Sequence, residues 1–218
     1  MTDYAAARLN MVESQIRANN VTDPPVVDAF MSVPREIFVP KTMRGVAYVD
    51  EDLPIGDGRY LIEPMVLARL IQLGQVGPED LVLDVGSATG YATTVLARLA
   101  AAVVGVEADE QMVAAAGANL AQLGIDNAVF VHGAPEDGYP KQAPYNVIVF
   151  QGAIDAVPPA IAGQLAEGGR LVAVVRQPRG MGLGMVYMRE HGTLTGRAAF
   201  DAATPLLPGF ARKPAFVF

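Results

Sequence analysis

The stretch "VLDVGSATGYATTVLARL", residues 82–99, decides the fold. A short apolar run ends in Asp84, and Gly86-Ser87-Ala88-Thr89-Gly90 then turns into a helical pattern. Glycine takes positive φ without steric penalty and lets a backbone approach a ligand closely. Open α/β sheets bind ligands at the carboxyl ends of their strands, where a following helix also presents free N–H groups. A single glycine turn is often no more than a turn, so the reading depends on what flanks it.

The flanks alternate strand and helix. "PMVLARLIQLGQV" (64–76) predicts a helix ended by Gly74 or Gly77, and "DLVLDVG" (80–86) the first strand. "AVVGVEA" (102–108), "NAVFVHG" (127–133), "YNVIVFQG" (145–152) and "RLVAVV" (170–175) predict four more. "DEQMVAAAGANLAQLG" (109–124) and "VPPAIAGQLAEGG" (157–169) read as intervening helices, the second closed by two glycines. Strands that are apolar on both faces, joined by helices, belong to a parallel sheet covered on both sides. "GMVYMRE" and "TLTGRAAF", either side of "HGT", predict an antiparallel tail on that sheet.

Upstream, residues 3–18 predict an amphipathic helix with Leu9, Val12 and Ile16 at helical spacing. Thr22 or Asp23 can cap a second helix that starts with prolines and stops before Pro34. "PREIFVP" (34–40) and "DEDLPIGDG" (50–58) read as loops. The expected organisation is an N-terminal helical and irregular region over 1–63 packed on a cofactor-binding domain over 64–218.

Composition narrows the function classes. The 218 residues are 51% hydrophobic and 18% charged, enough for a sizeable core. A net charge of −7 without a Lys/Arg block argues against nucleic acid as the main partner. Absent cysteines rule out disulfides, thiolate metal sites and thiol catalysis. Two histidines are too few for a His-rich metal site, and no metal is expected. No apolar run reaches the roughly 18 residues of a membrane span, and no signal core opens the chain, so a cytoplasmic location is the default. Nothing speaks to oligomeric state.

Glu107 supplies the second signal. It ends the next strand, close to the spacing of about 20 residues at which an acidic side chain reaches ribose hydroxyls. Two acceptor oxygens match a cis-diol, so the turn and Glu107 imply an adenosine-containing cofactor. A dinucleotide loop prefers G-x-G-x-x-G, whereas Ala88 stands two residues after Gly86. Asp84 would repel a pyrophosphate yet attract the ammonium end of S-adenosylmethionine. No Lys-Ser or Lys-Thr follows the glycines, so the P-loop reading fails. S-adenosylmethionine is favoured over a nicotinamide dinucleotide.

At these residues the chain resembles the protein-L-isoaspartate (D-aspartate) O-methyltransferases. "MVESQIRANNVTDPPVVDAFMSVPREIFVP" (11–40), "AYVDEDLPIGDG" (47–58) and "YNVIVFQGAIDAVPPAIAGQLAEGGRLVAVV" (145–175) carry the likeness beyond the cofactor loop. The resemblance implies methyl transfer from S-adenosylmethionine to the free α-carboxylate of an isoaspartyl residue in a peptide or protein. A carboxylate, with a pKa near ~4, is already ionised at neutral pH and needs orientation rather than a base. A cofactor set of Asp84, Gly86, Ser87, Ala88, Thr89, Gly90, Tyr91, Glu107, Ala108, Gly133, Ala134 and Gln151 follows.

The acceptor side departs from the family. Where the family usually has Gln-Thr-Ile-Ser-Gln-Pro, this chain has "RYLIEP" (59–64). Tyr60 and Ile62 replace the two hydroxyls, and Glu63 brings a negative charge. Losing one hydrogen bond to a charged acceptor costs about 1.5–3 kcal/mol, which Arg59 or the Tyr60 hydroxyl would have to replace. Arg59, Tyr60, Ile62 and Glu63 are therefore the acceptor-site candidates. "HGAPEDG" (132–138) puts Ala134 where the family has an aspartate, with Glu136 and Asp137 nearby. "FQGA" replaces Val-Thr-Ala-Ala and puts Gln151 on the cofactor side. Three functional readings stay open: isoaspartate methylation, methylation of another acceptor, and a cofactor-binding sensor or interaction module that has lost repair activity. His132 reads as a packed or capping residue and His191 as exposed. Met181, Met185 and Met188 read as packing. Arg176 and Arg179 follow the fifth strand on the ligand-binding edge and read as ligand-edge residues or a solvated loop, and Arg17 and Arg35 as salt-bridge or substrate residues.

Overall fold

The computed structural model describes residues 3–212; residues 1–2 and 213–218 of the two expected regions lie outside them. Asp3 caps the first helix, α1 (Tyr4–Met11), by accepting from the Ala6 N–H at 3.0 Å. The chain does not continue as the single regular helix expected over 3–18. It widens into a π turn at Val12–Ile16 and tightens into a 3-10 turn at Arg17–Asn19. Ser14 and Asn19 bond the carbonyls of Asn10 and Gln15, four residues back, which loosens such turns. The change of pitch moves the buried stripe. Met11 joins Val12 and Ile16 in the core, while Leu9 is 47% exposed.

Helix α2 (Pro24–Ser32) stops before Pro34 as expected, with proline in its first turn. No side chain of its own caps it. Gln72 Oε1 accepts from the Thr22 and Asp23 N–H groups at 2.8 and 3.1 Å. Gln72 belongs to α3 (Pro64–Gly74), so the cap also docks the N-terminal region on the main body. The expected loop at 50–58 contains half of a hairpin, β1 (Leu53–Gly56) against β2 (Arg59–Leu61). Its tip, Gly56-Asp57-Gly58, has φ of 117°, 48° and 70°, which two glycines make accessible.

The central sheet is built from β3 (Leu81–Val85), β4 (Ala102–Glu107), β5 (Ala128–His132), β6 (Tyr145–Ile154) and β7 (Leu165–Val175), all parallel. β8 (Gly182–Glu190) and β9 (Thr193–Ala202) add an antiparallel meander, giving the order β5-β4-β3-β6-β7-β8-β9. Helices α4 (Tyr91–Ala97) and α5 (Glu110–Leu123) follow β3 and β4. The order reverses between β3 and β6. That switch point is where an open sheet leaves its ligand crevice.

Alternate residues feed two cores, as period-two side chains must. Val82, Val103, Val147 and Val172 face one core, shared with Phe30, Phe38, Leu61 and Leu67 from the preceding segments. Leu83, Val104, Ile148 and Leu171 face the other. This second face was expected to be covered by a helix over 157–169. Only one turn forms, α6 (Pro159–Ala162), because Leu165 already pairs with Tyr145 of β6, and Gly168 at φ 74° bulges the strand before Arg170 pairs with Val147. An extended strap, residues 203–212, completes the cover. Ala153 bonds it on both sides, through Pro205 O and Leu207 N at 2.8 Å each. Phe210 stands edge-on to Phe150 at 5.4 Å. Among the described residues no helix is long and apolar enough to cross a membrane.

Phe210 is 5% exposed and packs in the second core against Phe150 of β6. Phe210→Ala should lower unfolding free energy in urea by about 3–5 kcal/mol, the range for a buried aromatic truncated to alanine.

Candidate cofactor and acceptor site

The glycine loop is tied to β4 by the N–H groups of Gly86 and Ser87, which both donate to the Val106 carbonyl at 2.9 and 3.1 Å. Gly86, Ala88 and Gly90 all have positive φ, at 73°, 50° and 91°. Alternating left-handed residues turn the Ala88 N–H toward the end of β4, where it donates to Glu107 Oε2 at 2.8 Å. Thr89 leaves the cleft side: its hydroxyl donates to the Phe38 carbonyl at 2.6 Å and its carbonyl accepts from Asn119. Ser87 is buried, its hydroxyl without a partner.

Glu107 is 1% exposed and fully engaged. Oε1 accepts from the Ala108 and Asp109 N–H groups at 2.8 and 3.2 Å. Oε2 accepts from Ala88 and from Arg59 Nη1, the latter at 2.6 Å. The other arm of Arg59 donates to the Gly86 carbonyl. Arg59 was an acceptor-side candidate; its guanidinium lies instead across the cofactor loop.

Asp84 is fully buried, so it does not present an open carboxylate to a ligand ammonium group. Thr93 donates to Oδ2 at 2.5 Å and Gln151 to Oδ1 at 2.7 Å. The Gln151 bond spans the switch point from β6 to β3. Burial raises the Asp84 pKa to about 6 against the opposing pull of these two donors.

Next to Glu107 lies a cavity of about 430 Å³, walled by Ala108, Asp109, Pro135 and Glu136 and by Asp57 and Arg59 of the hairpin. Pro208 and Gly209 of the strap close its far side. Its size falls within the ~300–1,000 Å³ of small-ligand sites. Gly133 donates to the Glu107 carbonyl at 3.0 Å, and Ala134 leads into the short 135–137 turn. Of the two acids that could replace the family's aspartate, Glu136 borders the cavity, while Gln164 holds the Asp137 carbonyl. The donor and acceptor set fits a ribonucleoside: a strand-end carboxylate, positive-φ backbone beside it, and a half-open chamber.

Tyr91 does not reach this chamber. Its side chain is 1% exposed, edge-on to Phe38 at 5.4 Å, with the Arg35 guanidinium 4.8 Å above its ring. Only its backbone stays on the loop side. Arg35, fully buried, forms neither a salt bridge among the described residues nor an exposed contact surface. It donates to the carbonyls of Ala47 at 2.8 Å and Ile62 at 2.7 Å, joining the N-terminal region to the 59–64 stretch. Burial lowers its pKa.

The acceptor candidates do not gather into one open pocket. Ile62 is 2% exposed and, with Tyr60, Gln151, Gly152 and Leu207, encloses only about 10 Å³. Glu63 lies beside the 50–52 loop, its N–H donating to Asp52 Oδ1 at 3.0 Å. Its pKa rises to about 7, chiefly through burial and then the neighbouring Asp52, Asp50 and Glu51. His132 meets the Ala108 carbonyl at 2.9 Å, and His191, exposed, turns the β8–β9 hairpin at φ 51°. Arg17 pairs with Glu13 on the surface, and Arg176 grips Asp155 at 2.8 and 3.0 Å. Met181 and Met188 are 56% and 42% exposed, so they are not core packing.

The family model of the protein-L-isoaspartate(D-aspartate) O-methyltransferases matches residues 7–199. The chain belongs to that family. A protein-L-isoaspartate O-methyltransferase of Koribacter versatilis is 37% identical over 99% of this chain and 97% of its own. Among solved structures, a protein-L-isoaspartate O-methyltransferase superposes with a TM-score of 0.80 at 26% identity, over 93% of this chain. This chain spans 66% of that one's length. A Plasmodium falciparum structure of the family, in complex with S-adenosyl-L-homocysteine, shares the fold with a TM-score of 0.76 at 19% identity, over 95% of this chain and 99% of that one.

Sequence reasoning missed the hairpin and the strap. "GDG" between two apolar runs was a usable hairpin signal. The strap, "ATPLLPGFAR" (203–212), carries no periodicity and offers none.

Glu63 gives a pH test. Its folded pKa lies above the reference value near ~4.3, so its contribution to stability is full below that pH and is lost as pH rises through about 7. Asp52, raised by burial to about 6, acts in the same direction. Glu63→Gln should raise the thermal midpoint more at pH 8 than at pH 5.

Proposed function

We propose that this chain is an S-adenosylmethionine-dependent carboxyl methyltransferase acting on L-isoaspartyl residues of peptides or proteins. Family membership across residues 7–199, a span that includes the glycine loop and Glu107, carries the reading. Bound beside Glu107, the cofactor supplies an electrophilic methyl group. The chain's own part is to accept the ribose hydroxyls on the Glu107 carboxylate and to let the Gly86–Gly90 backbone come close. Ala108, Pro135 and Glu136 form the chamber wall.

The acceptor needs no base from the protein, because a carboxylate with a pKa near ~4 is ionised at neutral pH. That agrees with His132 being held by a backbone carbonyl. The rate then depends on orientation, which contributes up to ~7–11 kcal/mol in favourable cases.

One observation favours a second reading, a methyltransferase for another acceptor or a cofactor-binding sensor. The place of the family's serine is taken by Ile62, packed in a cavity of about 10 Å³. A methyl-transfer assay on an isoaspartyl peptide and its normal aspartyl twin separates the readings. Methyl incorporation into the isoaspartyl peptide alone is the expected result. Cofactor binding without transfer to either peptide favours the second reading. Failure of both S-adenosylmethionine and S-adenosylhomocysteine to bind in calorimetry overturns both.

A further inference from the structure

Glu107 is the group the cofactor must use, and the chain is already using it. A carboxylate offers about four acceptor positions, and four donors occupy them. Three are backbone N–H groups of Ala88, Ala108 and Asp109, fixed by the loop and by the start of α5. The fourth, Arg59 Nη1 at 2.6 Å, is the only side chain and the only one able to leave without unfolding the loop.

The guanidinium also fills the surface that glycine keeps open. A Cβ on Gly86 would come within 3.0 Å of Arg59 Nη2 and 2.8 Å of Leu207 Cδ1. The close approach of backbone to ligand is thus occupied by the chain itself. Arg59 is carried on β2, directly after the tip whose three residues all have positive φ. Asp57 and Asp109 border the same cavity as Arg59. A guanidinium released from Glu107 therefore has carboxylates within its own chamber and is not left buried and unpaired, which would be costly.

We propose that Arg59 is a displaceable latch: an intramolecular competitor that holds Glu107 Oε2 until a hydroxyl of a ribonucleoside's cis-diol takes its place. The proposal rests on the cofactor reading above. The latch lowers apparent affinity, because only the unlatched fraction binds. Binding is thereby coupled to release of the β1–β2 hairpin, the element that also carries the acceptor-side residues Tyr60 and, just beyond it, Ile62.

Isothermal titration with S-adenosylhomocysteine tests it on the wild type, on Arg59→Gln and on Arg59→Lys, each checked for folding by thermal melting. Arg59→Gln should bind at least about fivefold more tightly, within the usual range of coupling effects, with Arg59→Lys intermediate. Adenosine should follow the same trend and 2′,3′-dideoxyadenosine should not, since it has no diol to compete. Unchanged or weaker binding by the folded variants overturns the latch. Loss of all binding, in wild type and variants alike, overturns the cofactor reading and the latch with it. Hydrogen exchange of the wild type keeps the idea testable if the variants do not fold. Saturation with S-adenosylhomocysteine should speed exchange in residues 53–61, and slowed exchange there would contradict the latch.

Discussion

A carboxylate buried at the end of a strand has to be satisfied on every side, and Glu107 imposes that demand on everything around it. Its hydrogen bonds reach the glycine loop after β3, the first residues after β4 and the hairpin ahead of α3. Unsatisfied, such a charge would be among the costliest features a fold can carry. Satisfied, it defines the cleft. The loop dihedrals, the position of Arg59 and the cavity beside Ala108 all follow from where this one side chain sits.

The acceptor side hangs from a second buried charge. Arg35 bonds the carbonyls of Ala47 and Ile62 and lies over the ring of Tyr91. It fixes the N-terminal region, the 59–64 stretch and α4 relative to one another. Because Ile62 is held by its backbone and buried by its side chain, this stretch acts as a packed floor. Leu207 from the strap lines the same small enclosure as Ile62. The cofactor half and the acceptor half of the cleft therefore differ in size: one is a half-open chamber of about 430 Å³, the other an enclosure of about 10 Å³.

The parallel strands, the loop and Glu107 were legible from the chain alone, because apolar strands and a glycine turn are local signals. Gln151 was singled out where "FQGA" departs from the family on the cofactor side, and the structure spends its amide on Asp84 across the switch point. What was not legible depends on distant partners. Tyr91 follows the loop in sequence, yet Phe38 and Arg35 draw its side chain into the core. The 157–169 stretch reads as a helix until β6 offers its later residues a pairing edge. Arg59 looks like an acceptor residue in "RYLIEP", but the three-residue β2 aims it at Glu107. Charge pairing over nearly fifty positions leaves no periodic trace.

The account stands on Glu107 serving two partners in turn, Arg59 without ligand and a ribose with it. A crystal structure of this chain with S-adenosylhomocysteine tests that most directly. The account predicts a ribose hydroxyl on Glu107 Oε2 in the place of Arg59 Nη1 and the Arg59 guanidinium withdrawn toward Asp57 or Asp109. A bound ligand with the Arg59–Glu107 pair still intact would contradict it.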